Sequence, residues 1–117
     1  MGHREYQRTD RVAALLRREL GQLVHEDVRD HHVPEVSVSD VEISRDLSVA
    51  KVYVTALDPE QAKPAVALLN EAAKCYRQAL AKLVRLRQVP ELRFHYDDSV
   101  DRGERIDALL RGDSGTP

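Results

Sequence analysis

The chain has 117 residues, 42% of them hydrophobic and 4% aromatic, with 18 Lys and Arg against 20 Asp and Glu for a formal charge of −2. That length holds one domain, the apolar fraction is too high for wholesale disorder, and the charges are mixed in sign. No apolar run approaches the ~20 residues of a membrane span, and Met1-Gly2-His3-Arg4-Glu5-Tyr6 offers no signal peptide, so a cytoplasmic protein is expected.

From Arg11 to Val28 the apolar positions Val12, Leu15, Leu16, Leu20, Leu23, Val24 and Val28 are spaced by three and four, one buried face of a first helix. Thr9 or Asp10 can cap it, and Asp30-His31-His32-Val33-Pro34 ends it, because a proline turns its predecessor away from helical angles. Gly21 is either a site of close packing or a tolerated interior glycine. The period then falls to two. Val36 and Val38 are out of phase with Val41 and Ile43, so the first strand either bulges near Ser39-Asp40 or changes the face it buries. After Arg45-Asp46, Ala50, Val52, Val54 and Ala56 define one face of a second strand, the partner in an antiparallel hairpin.

Asp58-Pro59 opens the next segment, and Pro64 is acceptable in a first helical turn. The buried set expected there is Ala65, Leu69, Ala72, Tyr76, Ala79, Leu80, Leu83 and Leu86. One straight helix from Pro64 to Arg87 would be a rod of ~36 Å, longer than the ~27 Å diameter of a domain this size. A kink or break is therefore expected near Glu71-Ala72-Ala73-Lys74. Leu92, Phe94 and Tyr96 alternate with polar residues in a third strand entered through Pro90. Asp101 and Glu104 resemble a capping box before a short helix, Ile106 to Leu110, and residues 111–117 read as a disordered tail.

The order helix-strand-strand-helix-helix-strand predicts an α+β domain over residues 4–110, with helices on one face of a three-stranded antiparallel sheet. The other face, bearing Lys51 and Arg93, should meet solvent. This is the type II KH-like order, a module that binds single-stranded nucleic acid. No GxxG loop lies between the helices expected over residues 58–87, the string Gly112-Asp113-Ser114-Gly115 falling in the tail, so binding would come from the basic helix and structured-RNA shape rather than from reading a few bases.

Charge is segregated along the chain. Residues 74–95 carry six positive side chains and one negative. On a helix, Lys74, Arg77, Lys82 and Arg85 fall within about 140°, opposite Tyr76, Ala79, Leu80 and Leu83. Such a face can meet phosphates; a merely solvated face is the plain alternative. Arg8 and Arg11 add to it if the first helix shares that surface. The candidate RNA contacts are Lys74, Arg77, Lys82, Arg85, Arg87, Arg8, Arg11 and Arg45.

Catalytic, metal and cofactor readings find little support. Glycines are too scattered for a phosphate-binding loop, and His3, His25, His31, His32 and His95 have no metal-ligand spacing and read as surface or boundary residues. The single Cys75 reads as a small core or boundary residue rather than a reactive thiol. Asp97-Asp98 and Asp40 with Asp46 are acidic clusters without a His or Cys set beside them.

The strings Arg8-Thr-Asp-Arg11-Val12, Val36-Ser-Val-Ser-Asp40-Val-Glu-Ile-Ser44-Arg-Asp46-Leu47, Ala50-Lys51-Val52-Tyr53-Val54, Leu86-Arg87-Gln-Val89-Pro90-Glu91-Leu92-Arg93-Phe94 and Tyr96-Asp97-Asp98-Ser99 follow one another as in ribosome-binding factor A. The chain resembles that family from about Arg4 to Leu110. The resemblance implies a type II KH fold and a non-catalytic assembly factor that binds the free small (30S) ribosomal subunit. It also implies a role in late maturation and 5′-end processing of 16S rRNA and in growth in the cold. The partners implied are 16S rRNA and, secondarily, small-subunit proteins; no membrane or cofactor is involved, and a monomer is expected. An Ala-x-Gly kink replaces GxxG in the family, and here the matching string is Ala72-Ala73-Lys74, with Lys in place of Gly. The alternative is a protein-interaction module that pairs through an exposed strand edge.

Overall fold

The computed structural model describes residues 2–98, with side chains from Arg8 onward. A first helix α1, Gly2–Arg29, leads into strand β1, Val36–Ile43, and strand β2, Val49–Ala56. A 3-10 turn, Pro59–Gln61, precedes helices α2, Ala62–Glu71, and α3, Ala73–Leu83, and strand β3, Glu91–Tyr96, follows. The expected α+β order holds. The short helix expected around residues 101–110 and the tail 111–117 lie outside the described residues.

The apolar spacing of α1 places Val12, Leu16, Leu20 and Val24 in the core, and the helix extends beyond the expected Arg11 start. It ends on its own hydrogen bonds before Pro34 can act. His31 sits at φ 63°, His31 N donates to Val28 O at 3.0 Å, and His32 N donates to Asp27 O at 2.8 Å. That is a left-handed helix stop normally made by glycine.

β1 and β2 pair antiparallel, from Val36 opposite Ala56 to Ile43 opposite Ala50, with the register breaking between Val38 and Asp40. The bulge explains the phase change, since one extra residue lets both Val36 and Val41 face the core. Ser39 Oγ donates to Asp97 Oδ2 at 2.7 Å, fastening the bulge to the end of β3. In the hairpin turn, Asp46 Oδ1 accepts from Ser44 Oγ at 2.8 Å, Ser48 Oγ at 2.7 Å and Ser48 N at 3.1 Å. Leu47, between them, has φ 62°.

The sheet order is β1-β2-β3, and β3 runs parallel to β2, with Val52 opposite Phe94. This corrects the expectation of a wholly antiparallel sheet. A hairpin reverses the chain, but the α2–α3 crossover carries it back to the end where β2 began, and a strand entering there lies parallel. Parallel ladders leave alternate residues of an edge strand facing outward. Asn70 fills that gap: its Nδ2 donates to Phe94 O at 3.1 Å and its Oδ1 accepts from Phe94 N at 2.9 Å.

The break between α2 and α3 falls at Ala72, with φ −90° and ψ 4°, inside the expected stretch. Ala72 N still donates to Leu68 O at 3.1 Å and Tyr76 N to Ala72 O at 3.0 Å, so the bend needs neither glycine nor a left-handed residue. Rod length is not its cause, because the 28-residue α1 continues unbroken for about 42 Å. The bend lets Ala65 and Leu69 of α2 and Tyr76 and Leu80 of α3 reach one core with Leu92 and Phe94.

Two glycine substitutions should therefore have opposite signs. His31→Gly should raise stability by about 1 kcal/mol, because it removes a left-handed side chain. Lys74→Gly should lower it by about 1 kcal/mol, because Lys74 lies within α3. Chemical denaturation of both variants checks the pair, and a stabilised Lys74→Gly would contradict the helical role of that residue.

Helix α3 ends at Leu83 rather than at Arg87. Val84 takes extended angles, φ −117° and ψ 147°, and its side chain is buried, while Leu83, expected in the core, is 54% exposed. Cys75, expected in the core or at its boundary, is exposed on α3 beside the buried Tyr76. Tyr76 packs its ring 5.7 Å from that of Phe94, and its hydroxyl donates to Asp27 Oδ2, tying α3 to α1.

Burial, followed by that hydrogen bond and the Asp27 charge, pushes the Tyr76 phenol above its ordinary value of 10.0. The folded chain keeps this proton where an unfolded tyrosine begins to release it. The stabilising contribution is complete below about pH 10 and is lost as pH rises beyond it. Tyr76→Phe should lower stability by about 1.5–3 kcal/mol at neutral pH. Thermal melts should show the gap to the parent narrowing above about pH 10.

Candidate nucleic-acid interface

All eight candidate RNA contacts are exposed, but they come from four different places. Lys74, Arg77 and Lys82 project from α3. Arg85 lies beyond the end of that helix, which corrects its assignment to the helical face, and Arg85 and Arg87 belong to the loop joining α3 to β3. Arg8 and Arg11 stand on α1, and Arg45 stands in the β1–β2 turn. α1 packs against α3, the condition under which Arg8 and Arg11 join the basic surface.

Two concavities organise these side chains. An open groove of about 400 Å³ is lined by Lys74, Arg77, Gln78 and Ala81 of α3 and by Val89 of the loop. Arg77 is partly committed to the fold: its Nε donates to Val89 O at 3.0 Å, holding the loop against the helix. The rest of its guanidinium and the ammonium of Lys74 supply charge along the groove. A smaller cleft of about 180 Å³ is bounded by Arg8 and Val12 of α1, Asp46 and Leu47 of the turn, and Leu86, Arg87, Gln88 and Pro90 of the loop. The loop thus adjoins both concavities, and Arg8 and Arg87, far apart in sequence, line one cleft.

Among the described residues, the ion pairs are Arg18–Glu19, Arg29–Asp30, His32–Asp27 and Arg93–Glu91. None of the eight candidates takes part. Their charge is available to an outside anion. Gln78 and Gln88, which line the concavities, were not singled out by sequence, and no periodic signal marks an exposed glutamine as a contact.

The acidic residues serve other purposes. Asp46 organises the hairpin turn, and the hydrogen bonds from Ser48 and Ser44 hold its carboxyl below the usual value. Asp97 accepts from Ser39, and Asp40 Oδ1 accepts from Val41 N at 2.8 Å. On the open face of the sheet Lys51 and Arg93 are exposed, as expected, and Tyr53 lies 5.9 Å from His95, ring to ring. Burial and the neighbouring Glu42, Asp40 and Asp97 raise the Tyr53 phenol above its ordinary value.

A helix laid on a mixed three-stranded sheet, a bent helical crossover without GxxG and cations gathered at its second half define an α+β domain of type II KH-like order. Residues 8–110 match the family model for ribosome-binding factor A. The chain belongs to that family. It is 62% identical over 111 residues to the ribosome-binding factor A of Xanthomonas euvesicatoria pv. vesicatoria, covering 95% of this chain and 85% of that relative. The crystal structure of ribosome-binding factor A from Thermus thermophilus is similar at a TM-score of 0.62 and 32% identity, covering 75% of this chain and 94% of that one. A Thermus thermophilus ribosome binding factor A, fitted as a homology model into the cryo-EM map of a 30S complex, is similar at a TM-score of 0.54 and 29% identity, covering 72% and 93% of the two chains.

Proposed function

We infer that this chain is an assembly factor of the small ribosomal subunit that acts by binding rRNA rather than by catalysis. The observation that carries this reading is the run of exposed cations over α3, the α3–β3 loop and α1, none ion-paired with a carboxylate among the described residues. The related factor fitted into a 30S complex supports the same partner. Lys74, Arg77, Lys82, Arg85, Arg87, Arg8, Arg11 and Arg45 are the proposed contacts to the sugar-phosphate backbone. With no GxxG loop between α2 and α3, affinity would come from phosphates and RNA shape, which orient a protein without reading many bases.

The factor would hold an immature conformation of 16S rRNA late in maturation, as its 5′ end is processed, and then leave. It would work as a monomer in the cytoplasm, with residues 4–110 as its single RNA-binding domain, and support growth in the cold. The structural use of Asp46, Asp97 and Asp40 supports a non-catalytic role.

The strand-edge alternative has less in its favour. Asn70 occupies the outward N–H and C=O of Phe94 in the middle of the β3 edge, and the bulge interrupts β1. Sucrose-gradient sedimentation of the tagged chain tests the choice. It should migrate with free small subunits, be absent from complete ribosomes and dissociate as salt rises. Binding indifferent to salt would favour edge pairing, because apolar contacts and backbone ladders lack the steep dependence of phosphate contacts.

A further inference from the structure

We propose that the cleft between α1, the β1–β2 turn and the α3–β3 loop receives one unstacked guanine base from a single-stranded stretch of the bound RNA. This deepens the rRNA-binding reading and rests on it. The cleft, at about 180 Å³, is smaller than pockets that enclose drug-sized molecules, and it suits a single ring system.

Its lining makes two demands. Val12, Leu47, Leu86 and Pro90 form an apolar floor, which favours a flat, uncharged group. Arg8 and Arg87 approach from separate elements with guanidinium groups that bind phosphate oxygens and stack on ring faces. A nucleotide within a strand meets both demands, with its base on the floor and its flanking phosphates at the arginines.

The remaining polar groups select the base. Ser44 Oγ, Ser48 Oγ and Ser48 N all donate to Oδ1 of Asp46. Those bonds favour the ionised carboxylate, which only accepts hydrogen bonds, so the ligand edge nearest Asp46 must donate. Oδ2 receives none of the three bonds. Guanine presents N1–H and N2–H side by side, with O6 beyond them for the amide of Gln88. Adenine and cytosine set a ring acceptor beside their amino group, and uracil flanks its one N–H with carbonyls, so each brings an acceptor toward the carboxylate.

Leu47 shapes the floor of the cleft. It holds φ 62°, a left-handed conformation in which glycine would be at ease, and its side chain forms part of the cleft floor. The hairpin turn sets that conformation, since Leu47 N donates to Ser44 O at 2.9 Å and Ser44 N to Val49 O at 2.9 Å.

The test uses fluorescence anisotropy of the full chain with an oligouridylate hexamer and with hexamers carrying one central guanosine, adenosine or inosine. The guanosine hexamer should bind about tenfold more tightly than the uridine or adenosine forms, with inosine, which lacks the N2 amino group, intermediate. Asp46→Asn should reduce that preference to within about twofold, and so should Gln88→Leu, which leaves the turn untouched. Backbone amide shifts at Leu47, Arg87 and Gln88 should appear with the guanosine hexamer. Equal affinity for all hexamers, or a guanosine preference that survives both variants, would overturn the proposal. Co-sedimentation of the unaltered chain with small subunits is read separately: if it occurs without discrimination among hexamers, the pocket fails and the rRNA-binding reading stands.

Discussion

Replacing Phe94 with alanine is expected to remove about 3–5 kcal/mol of folding stability, a large share of the roughly 5–15 kcal/mol that holds a domain together. Phe94 is 1% exposed, stands opposite Val52 in the middle of the parallel ladder and packs on Tyr76 of α3. Its loss would open a cavity where α2, α3 and the sheet meet. Urea denaturation of Phe94→Ala measures the change. Asn70→Ala, which removes only the two hydrogen bonds to the Phe94 backbone, should lose about 1–3 kcal/mol and expose the β3 edge. A Phe94→Ala variant no weaker than Asn70→Ala would mean that the core closes without this ring.

Reversing charge at Lys74 and Lys82 together should weaken binding to small subunits about a hundredfold at about 0.1 M salt. Each phosphate contact contributes a slope of nearly one to the dependence of log affinity on log salt, hence about tenfold at that concentration. The slope itself should fall by about two. Both lysines are exposed on α3 without a carboxylate partner among the described residues, so thermal melts of Lys74→Glu/Lys82→Glu should stay near those of the parent. Arg77 is left intact because its Nε holds the Val89 carbonyl, and its loss would disturb the loop as well as the charge. Pelleting equal to the parent would move the proposed grip to Arg8, Arg11 and Arg45.

The linear chain determined much of this molecule by itself. The three-and-four spacing of Val12, Leu16, Leu20 and Val24 defined the buried stripe of α1, and the alternation of Ala50, Val52 and Val54 defined the inner face of β2. The phase error at Ser39-Asp40 located the irregularity and left a bulge as one of two readings, and the small residues at Ala72-Ala73 marked the bend. These features are local, since a helix or strand compares residues two to four positions apart and the pattern is legible without any partner.

What only the tertiary structure decided involves residues remote in sequence. The parallel direction of β3 follows from where the bent crossover delivers the chain, and hydrophobic alternation in Leu92, Phe94 and Tyr96 reads the same in either direction. Asn70 on the Phe94 backbone, Tyr76 on Asp27 and Arg77 on Val89 are polar pairs whose partners no periodicity names. The basic residues were visible as a composition, but their arrangement was not. Arg8, Asp46 and Arg87 line one cleft because α1, the hairpin turn and the loop before β3 pack around a shared apolar core. Burying that core is the non-local term that local spacing cannot express.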